Sequence, residues 1–151
     1  MAEIVVGIDD SVAASRALEW AVDEAAQRGA RLRVVHAWRK PQLNTPLGVA
    51  YPMMVNSAAL KADAERVADD ALRRALVGRH DSAAIESVAQ AIEGEPAQLL
   101  VDLSKTADLV VVGSRGAGGF ARLLMGSVST QVVHHAHCPV AVVPEASTRP
   151  A

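Results

Sequence analysis

Short apolar runs alternate along this chain with longer segments whose apolar residues recur at helical spacing. "EIVVGI" (Glu3–Ile8) is β-branched and ends at a turn. From 11 to 28, Ala14, Leu18, Ala21, Val22 and Ala25 fall on one helical face, and Gly29 then stops the helix. "RLRVVHAW" (Arg31–Trp38) reads as a second strand, and "AIESVAQA" (84–91) alternates as a third. Between them "KADAERVADDALRRALV", with Leu60 just before it, carries Leu60, Ala64, Val67, Ala68, Ala71 and Leu72 on one face of a helix. A third helix is expected over 95–106, with Pro96 at its start. The pattern closes with a strand in "DLVVVG", a helix in "LLMGSVSTQVVHHA" and a strand over 138–143. Strands and helices in strict alternation predict βαβ units and a parallel sheet.

One segment breaks the alternation. Residues 39–57 are too many for an ordinary strand-to-helix connection, and they carry Leu47, Val49, Tyr51, Met53 and Met54. Those side chains need cover, and a lid over a ligand and a patch against a partner subunit both fit.

Composition narrows the class. The chain has 151 residues, half of them hydrophobic and 21% charged, which suits one folded domain. A net charge of −2 and 3% aromatic residues offer neither a basic footprint nor a stacking platform for nucleic acid. Cys138 is the single cysteine, so an internal disulfide is excluded. The apolar run at the N-terminus is too short for a signal peptide and no segment approaches a membrane span, so the expected location is the cytoplasm.

The candidate chemistry lies in "VVGSRGAGGFARLLMGSVST" (111–130), where five glycines separate a strand from a helix. The P-loop pattern fails, because no lysine follows Lys105. A dinucleotide fingerprint can be traced through Gly116, Gly118 and Ala121, but it follows the fourth strand and lacks its acidic partner. A third pattern fits: G-x-x-G, nine residues, then G-S. Gly113 and Gly116 form its first pair, and Gly126 and Ser127 close it. Gly113 ends a strand where a side chain would block the space above the sheet. Gly116 lets the turn aim its N–H at a phosphate, and the helix start at Gly126 and Ser127 attracts anions. Ser127, Ser129 and Thr130 add hydroxyls, and Arg115 and Arg122 bring positive charge.

With these residues the chain resembles the universal stress protein family. "VVGIDDS", the glycine segment and "VVHHAHCPVAVV" stand in the family's order, and the resemblance runs nearly end to end. It implies a single-domain, Rossmann-like open α/β sheet of five parallel strands in the order 3-2-1-4-5, with helices on both faces. The domain would span 1–144, with a polar tail over 145–151. The resemblance also implies the ATP-binding branch, with Mg²⁺, and a homodimer through strand five, which opens on Cys138 and closes on Val143. In that strand order the switch point brings Asp9 beside Gly113. The resemblance assigns Asp9 to the ribose hydroxyls; the competing use of Asp9 or Asp10 is as a helix cap. Ala37 and Val112 match positions that line the family's adenine pocket, and Gly7 and Val128 complete the candidate set with Arg115 and Ser129.

Other signals carry less. His134 and His137 sit one helical turn apart, but a zinc site needs three or four ligands, and histidines in a last turn suit the helix dipole. His36 reads as a satisfied core histidine. Three functions stay open. One is an ATP-binding, dimeric stress-response sensor or regulator with an unknown protein partner. The second is an ATP-cleaving enzyme on the same site, and the third is a structural dimer with a disused pocket. Against the third stands the intact glycine pattern, which a disused loop need not keep.

Overall fold

The computed structural model describes residues 1–44, 46–48, 50–52, 54–80, 84–116 and 125–145. Its strands are β1 (Glu3–Ile8), β2 (Arg31–Trp38), β3 (Gln42–Asn44), β4 (Ala50–Pro52), β5 (Ser87–Glu93), β6 (Leu109–Gly113) and β7 (Val140–Val143). Its helices are α1 (Val12–Arg28), α2 (Ser57–Leu76), α3 (Pro96–Leu103) and α4 (Ser127–His135). The main sheet runs β5-β2-β1-β6-β7, every neighbour parallel. Setting aside the small β3–β4 ribbon, this is the expected order 3-2-1-4-5.

Successive residues of a strand point to opposite faces, and here both faces are covered. Ile4, Val6 and Ile8 of β1 join Leu109 and Val111 of β6 under α1 and α2. Val5 joins Val110 and Val112 on the other face, with Leu100 of α3 and Val132 of α4. Burial on two sides is why these strands read as unbroken apolar runs rather than as alternation.

Helix α1 begins as its sequence demands. The Ser11 hydroxyl oxygen accepts the Ala14 N–H at 3.1 Å, so Ser11 is the cap and neither aspartate is. It ends at Gly29, whose left-handed backbone (φ 60°) a side chain would disfavour.

Several boundaries differ from expectation. The third sheet strand begins at Ser87 and reaches Glu93, because pairing with β2 continues to Trp38. The last sheet strand begins at Val140, after Cys138 and Pro139, although the Pro139 carbonyl still accepts the Val110 N–H at 3.0 Å. Helix α3 ends at Leu103, and Lys105 and Thr106 continue as a turn. Helix α4 starts only at Ser127, behind Gly126. The long connection contains the antiparallel ribbon β3–β4, with Leu43 opposite Tyr51. Leu47 and Met54 are exposed there; Val49 and Met53 lie outside the described residues.

Candidate functional site

Strands β1 and β6 are neighbours, with Val6 level with Val111. Beyond that level β1 feeds α1 on one face of the sheet, while β6 leads toward α4 on the other. The chains therefore separate at their C-terminal ends and leave a crevice, as open α/β sheets do at a topological switch point.

The inner part of this crevice is apolar. Val35 and Ala37 come from β2, Val112 from β6, and Val128 from the first turn of α4. Pro96 and Leu100 reach in from α3. Asp9, Arg115 and Gly116 bring polar groups to the rest of its lining, and Ser129 is buried in its wall. Nine predicted residues thus line one cleft: Gly7, Asp9, Ala37, Val112, Gly113, Arg115, Gly116, Val128 and Ser129. Gly126 and Ser127 stand outside that lining, at the start of α4. Arg122 lies outside the described residues.

Pro96 and Leu100 escape a reading of the sequence. The one clue to Leu100 is Gly7, a glycine inside a strand, which marks close approach of another group. A Cβ on Gly7 would stand 2.7 Å from Leu100 Cδ1, so the missing side chain is what seats Leu100 at the cleft floor.

Asp9 is exposed at the mouth, and its Oδ1 accepts the Ser11 N–H at 2.9 Å. That bond holds the carboxylate just ahead of α1. The Ser11 hydroxyl in turn donates to the Arg115 carbonyl at 3.3 Å, tying the start of α1 to the glycine segment. Behind it, the Ser114 N–H donates to Val143 O at 2.8 Å, and the Gly126 N–H to Ser114 O at 2.6 Å. The two ends of the glycine segment are thereby clamped to each other and to the sheet.

The glycines of this clamp differ in what they permit. A Cβ on Gly113 would fall 2.7 Å from the backbone carbonyl carbon of Ala13 and 2.9 Å from Ala14 N, so α1 could not pack against β6. One on Gly116 would meet Asp9 Oδ2, and one on Gly126 would lie 3.3 Å from Gly116 N. None of the three has positive φ. They serve close approach rather than left-handed backbone. Gly113 is required by packing alone, so its presence is no argument against a disused pocket.

Ser129 also plays a different part from the hydroxyl donor expected. It is buried, and its Oγ lies 3.1 Å from Ser114 O and 3.0 Å from Gly126 O. Its single proton serves these carbonyls and fixes the loop on α4. Ser127 is exposed at the first helical position, and Gly126 provides no side-chain cap. First-turn N–H groups of a helix have no intrahelical partner, so this end carries partial positive charge beside Gly116 N.

His36 lies off this cleft's lining, with Nδ1 3.2 Å from the Ile8 carbonyl oxygen. No group of three or more His, Cys, Asp or Glu side chains that could hold a metal ion occurs among the described residues. Cys138 is partly buried, and that burial raises its thiol's pKa. No described helix is long and apolar enough to cross a membrane.

Residues 1–144 match the universal stress protein family. A universal stress protein of Mycobacterium tuberculosis (strain H37Rv) is 35% identical over 158 residues, covering 98% of this chain and 49% of the relative. Another from the same strain is 38% identical over 147 residues, covering 97% of this chain and 46% of the relative. The chain thus spans about half the length of the curated relatives it matches. Among solved structures, the universal stress protein UspA from Lactobacillus plantarum superposes with TM-score 0.71 at 26% identity, over 94% of this chain and 97% of that one. A universal stress protein in complex with cAMP superposes with TM-score 0.65 at 26% identity, over 96% and 98%.

Proposed function

Because this chain belongs to the universal stress protein family, we propose that it binds ATP and serves as a dimeric sensor or regulator with little or no catalysis. The observation that carries this reading is the division of the cleft. Its inner end is an apolar slot of Val35, Ala37, Leu100 and Val112, suited to the faces of a purine. At the mouth, Asp9 can accept from ribose hydroxyls, while Gly116 N–H and the uncapped start of α4 suit phosphate oxygens. Arg115 adds positive charge to that end. The cAMP complex of a structural relative supports an adenine nucleotide here.

The described residues fit the nucleotide better than they fit a dedicated metal site. Mg²⁺ would come to the cleft on the phosphates, as it does where proteins supply few of its oxygens. The described residues hold and orient: Asp9, the carboxylate beside Gly116, is itself held by the Ser11 N–H, and no group of three or more metal-ligating side chains stands with it among the described residues. Grip that is equal for ground and transition states gives affinity without rate.

The same reading takes 1–144 as the nucleotide-binding unit and 145–151 as a polar tail, of which 146–151 lie outside the described residues. It pairs subunits through β7, the four-residue edge strand whose side chains are only partly buried. The location is the cytoplasm, and a further protein partner receives the output.

The experiment is calorimetric titration of the purified protein with ATP, AMP and cAMP, each with and without Mg²⁺. Mass spectrometry of small molecules released from untreated protein accompanies it. Saturable binding of ATP supports the reading; failure of all three to bind, with none released, overturns it.

A further inference from the structure

The sheet has a second open edge, and it is the longer one. Strand β5 ends the order on the side away from β7 and, among the described residues, pairs only with β2. Its register is unbroken from Ser87 to Glu93, so no bulge twists the edge away. Native edges are usually blunted by lysine, proline or a bulge. "SVAQAIE" has none of these, and its one charge is at the end.

Main-chain direction along this edge follows from one bond. The Leu32 N–H donates to Glu86 O at 2.8 Å, and alternate residues of a parallel ladder face alternate neighbours. Val88, Gln90 and Ile92 therefore turn their N–H and C=O toward β2. Ser87, Ala89, Ala91 and Glu93 turn theirs outward. Beside this row lies a groove floored by 89–92 and walled by Lys61, Glu65 and Asp69 of α2.

We infer that β5 pairs antiparallel with β5 of a second copy of this chain, about a two-fold axis at Gln90. The sequence is self-complementary about that residue. Ala89 falls opposite the partner's Ala91, and both direct their main-chain groups at each other. Val88 falls opposite the partner's Ile92, and Ser87 opposite the partner's Glu93, so apolar meets apolar and no like charges face. Gln90 meets its own copy, a pair of neutral amides.

The helix wall obeys the same symmetry. Lys61, Glu65 and Asp69 are spaced four residues apart, so a two-fold axis beside Glu65 sets Lys61 against the partner's Asp69. Glu65 approaches its own copy, but each is already paired with its own Lys61 at 3.7 Å. The groove brings Lys61, Glu65 and Asp69 to the same edge as 89–92, so a strand pair about Gln90 also sets the two helix walls facing each other. A contact of this kind is independent of the nucleotide cleft and uses the opposite edge from β7.

The test is cross-linking in a Cys138→Ser background. In an antiparallel pair, Gln90 and its copy form a non-hydrogen-bonded pair, with Cα atoms about 4.5 Å apart, within disulfide range. Under mild oxidation Gln90→Cys should form a covalent dimer about ten times faster than Gln27→Cys on the exposed side of α1. Sedimentation provides the second arm: Gln90→Lys puts like charges at the axis and should weaken self-association about tenfold or more. Its thermal unfolding, an exposed edge site being altered, should match the parent. Cross-linking of the Gln90→Cys variant no faster than that of Gln27→Cys, or self-association unchanged in Gln90→Lys, overturns the inference. An edge reserved for an unrelated strand would leave purified protein unpaired at β5, which is that same negative result.

Discussion

A side-chain carbon on Gly116 would stand 2.9 Å from Oδ2 of Asp9, although the two residues are more than a hundred positions apart. The glycine leaves space that the carboxylate occupies, and Oδ1 of the same group is held by the Ser11 N–H. The carboxylate is thus set at the cleft mouth by two separate parts of the chain.

Asp9→Ala should weaken adenine-nucleotide binding about 10- to 100-fold, since losing a charged hydrogen bond costs roughly 1.5–3 kcal/mol. Gly116→Ala should act in the same direction by displacing the carboxylate. Calorimetry checks both; unchanged affinity in the pair would remove Asp9 from the site.

Gly113→Ala acts on the fold instead. Its Cβ would collide with the backbone of Ala13 and Ala14, which cannot swing aside as a side-chain tip can. Overpacking of this kind costs about 1–3 kcal/mol or more. Chemical denaturation should show that loss without any ligand present, and a variant as stable as the parent would contradict the packing described.

Val142→Lys places a charge in β7, whose other side chains are Val140, Ala141 and Val143. If subunits pair through this edge, the variant should sediment as monomer or become insoluble. A dimer of unchanged mass would locate the contact elsewhere.

Steady-state release of phosphate or pyrophosphate from ATP should stay far below the enzyme range of about 1–10³ s⁻¹. Among the described residues the phosphate end offers N–H groups, Ser127 and Arg115, with no histidine to orient water. Turnover faster than about 1 s⁻¹ that disappears in Asp9→Ala would make the protein an enzyme.

Burial raises the Cys138 thiol above the ordinary cysteine range; the charge of Asp108 adds to this and a hydrogen bond with the Val110 backbone opposes it. The folded thiol therefore keeps its proton to higher pH than the unfolded one. Its contribution to stability is intact below the unfolded value and is lost as pH rises through the folded value. Alkylation rates against pH should show a higher midpoint for native protein than for protein in urea. Equal midpoints would refute the shift.

Strands β1 and β6 are legible in the sequence because both faces of the sheet are covered there, which turns them into apolar runs, whereas β5 at the edge shows instead as alternation. The order of those strands and the pairing of Asp9 with Gly113 come from the resemblance, whose landmarks are the chain's two ends and its glycine segment. The ribbon β3–β4 is not legible. Each strand has three residues, too few for a period to show. Leu100 is hidden for a different reason: on α3 it looks like any core leucine, and only the position of Gly7 across the sheet turns it toward the cleft. The part Ser129 plays is hidden because its partners are backbone carbonyls, which leave no trace in a pattern of side chains.

The contact between Gly113 and α1 bears on how such a chain can diverge. Substitution there is opposed by the fold itself, so lineages descending from this sequence will keep that glycine even if they abandon the ligand. Asp9 is exposed and Ala37 lies near a strand's end, so change at either leaves the core in place. Relaxed selection on the cleft would register first at those two positions, with Gly113 the last to change.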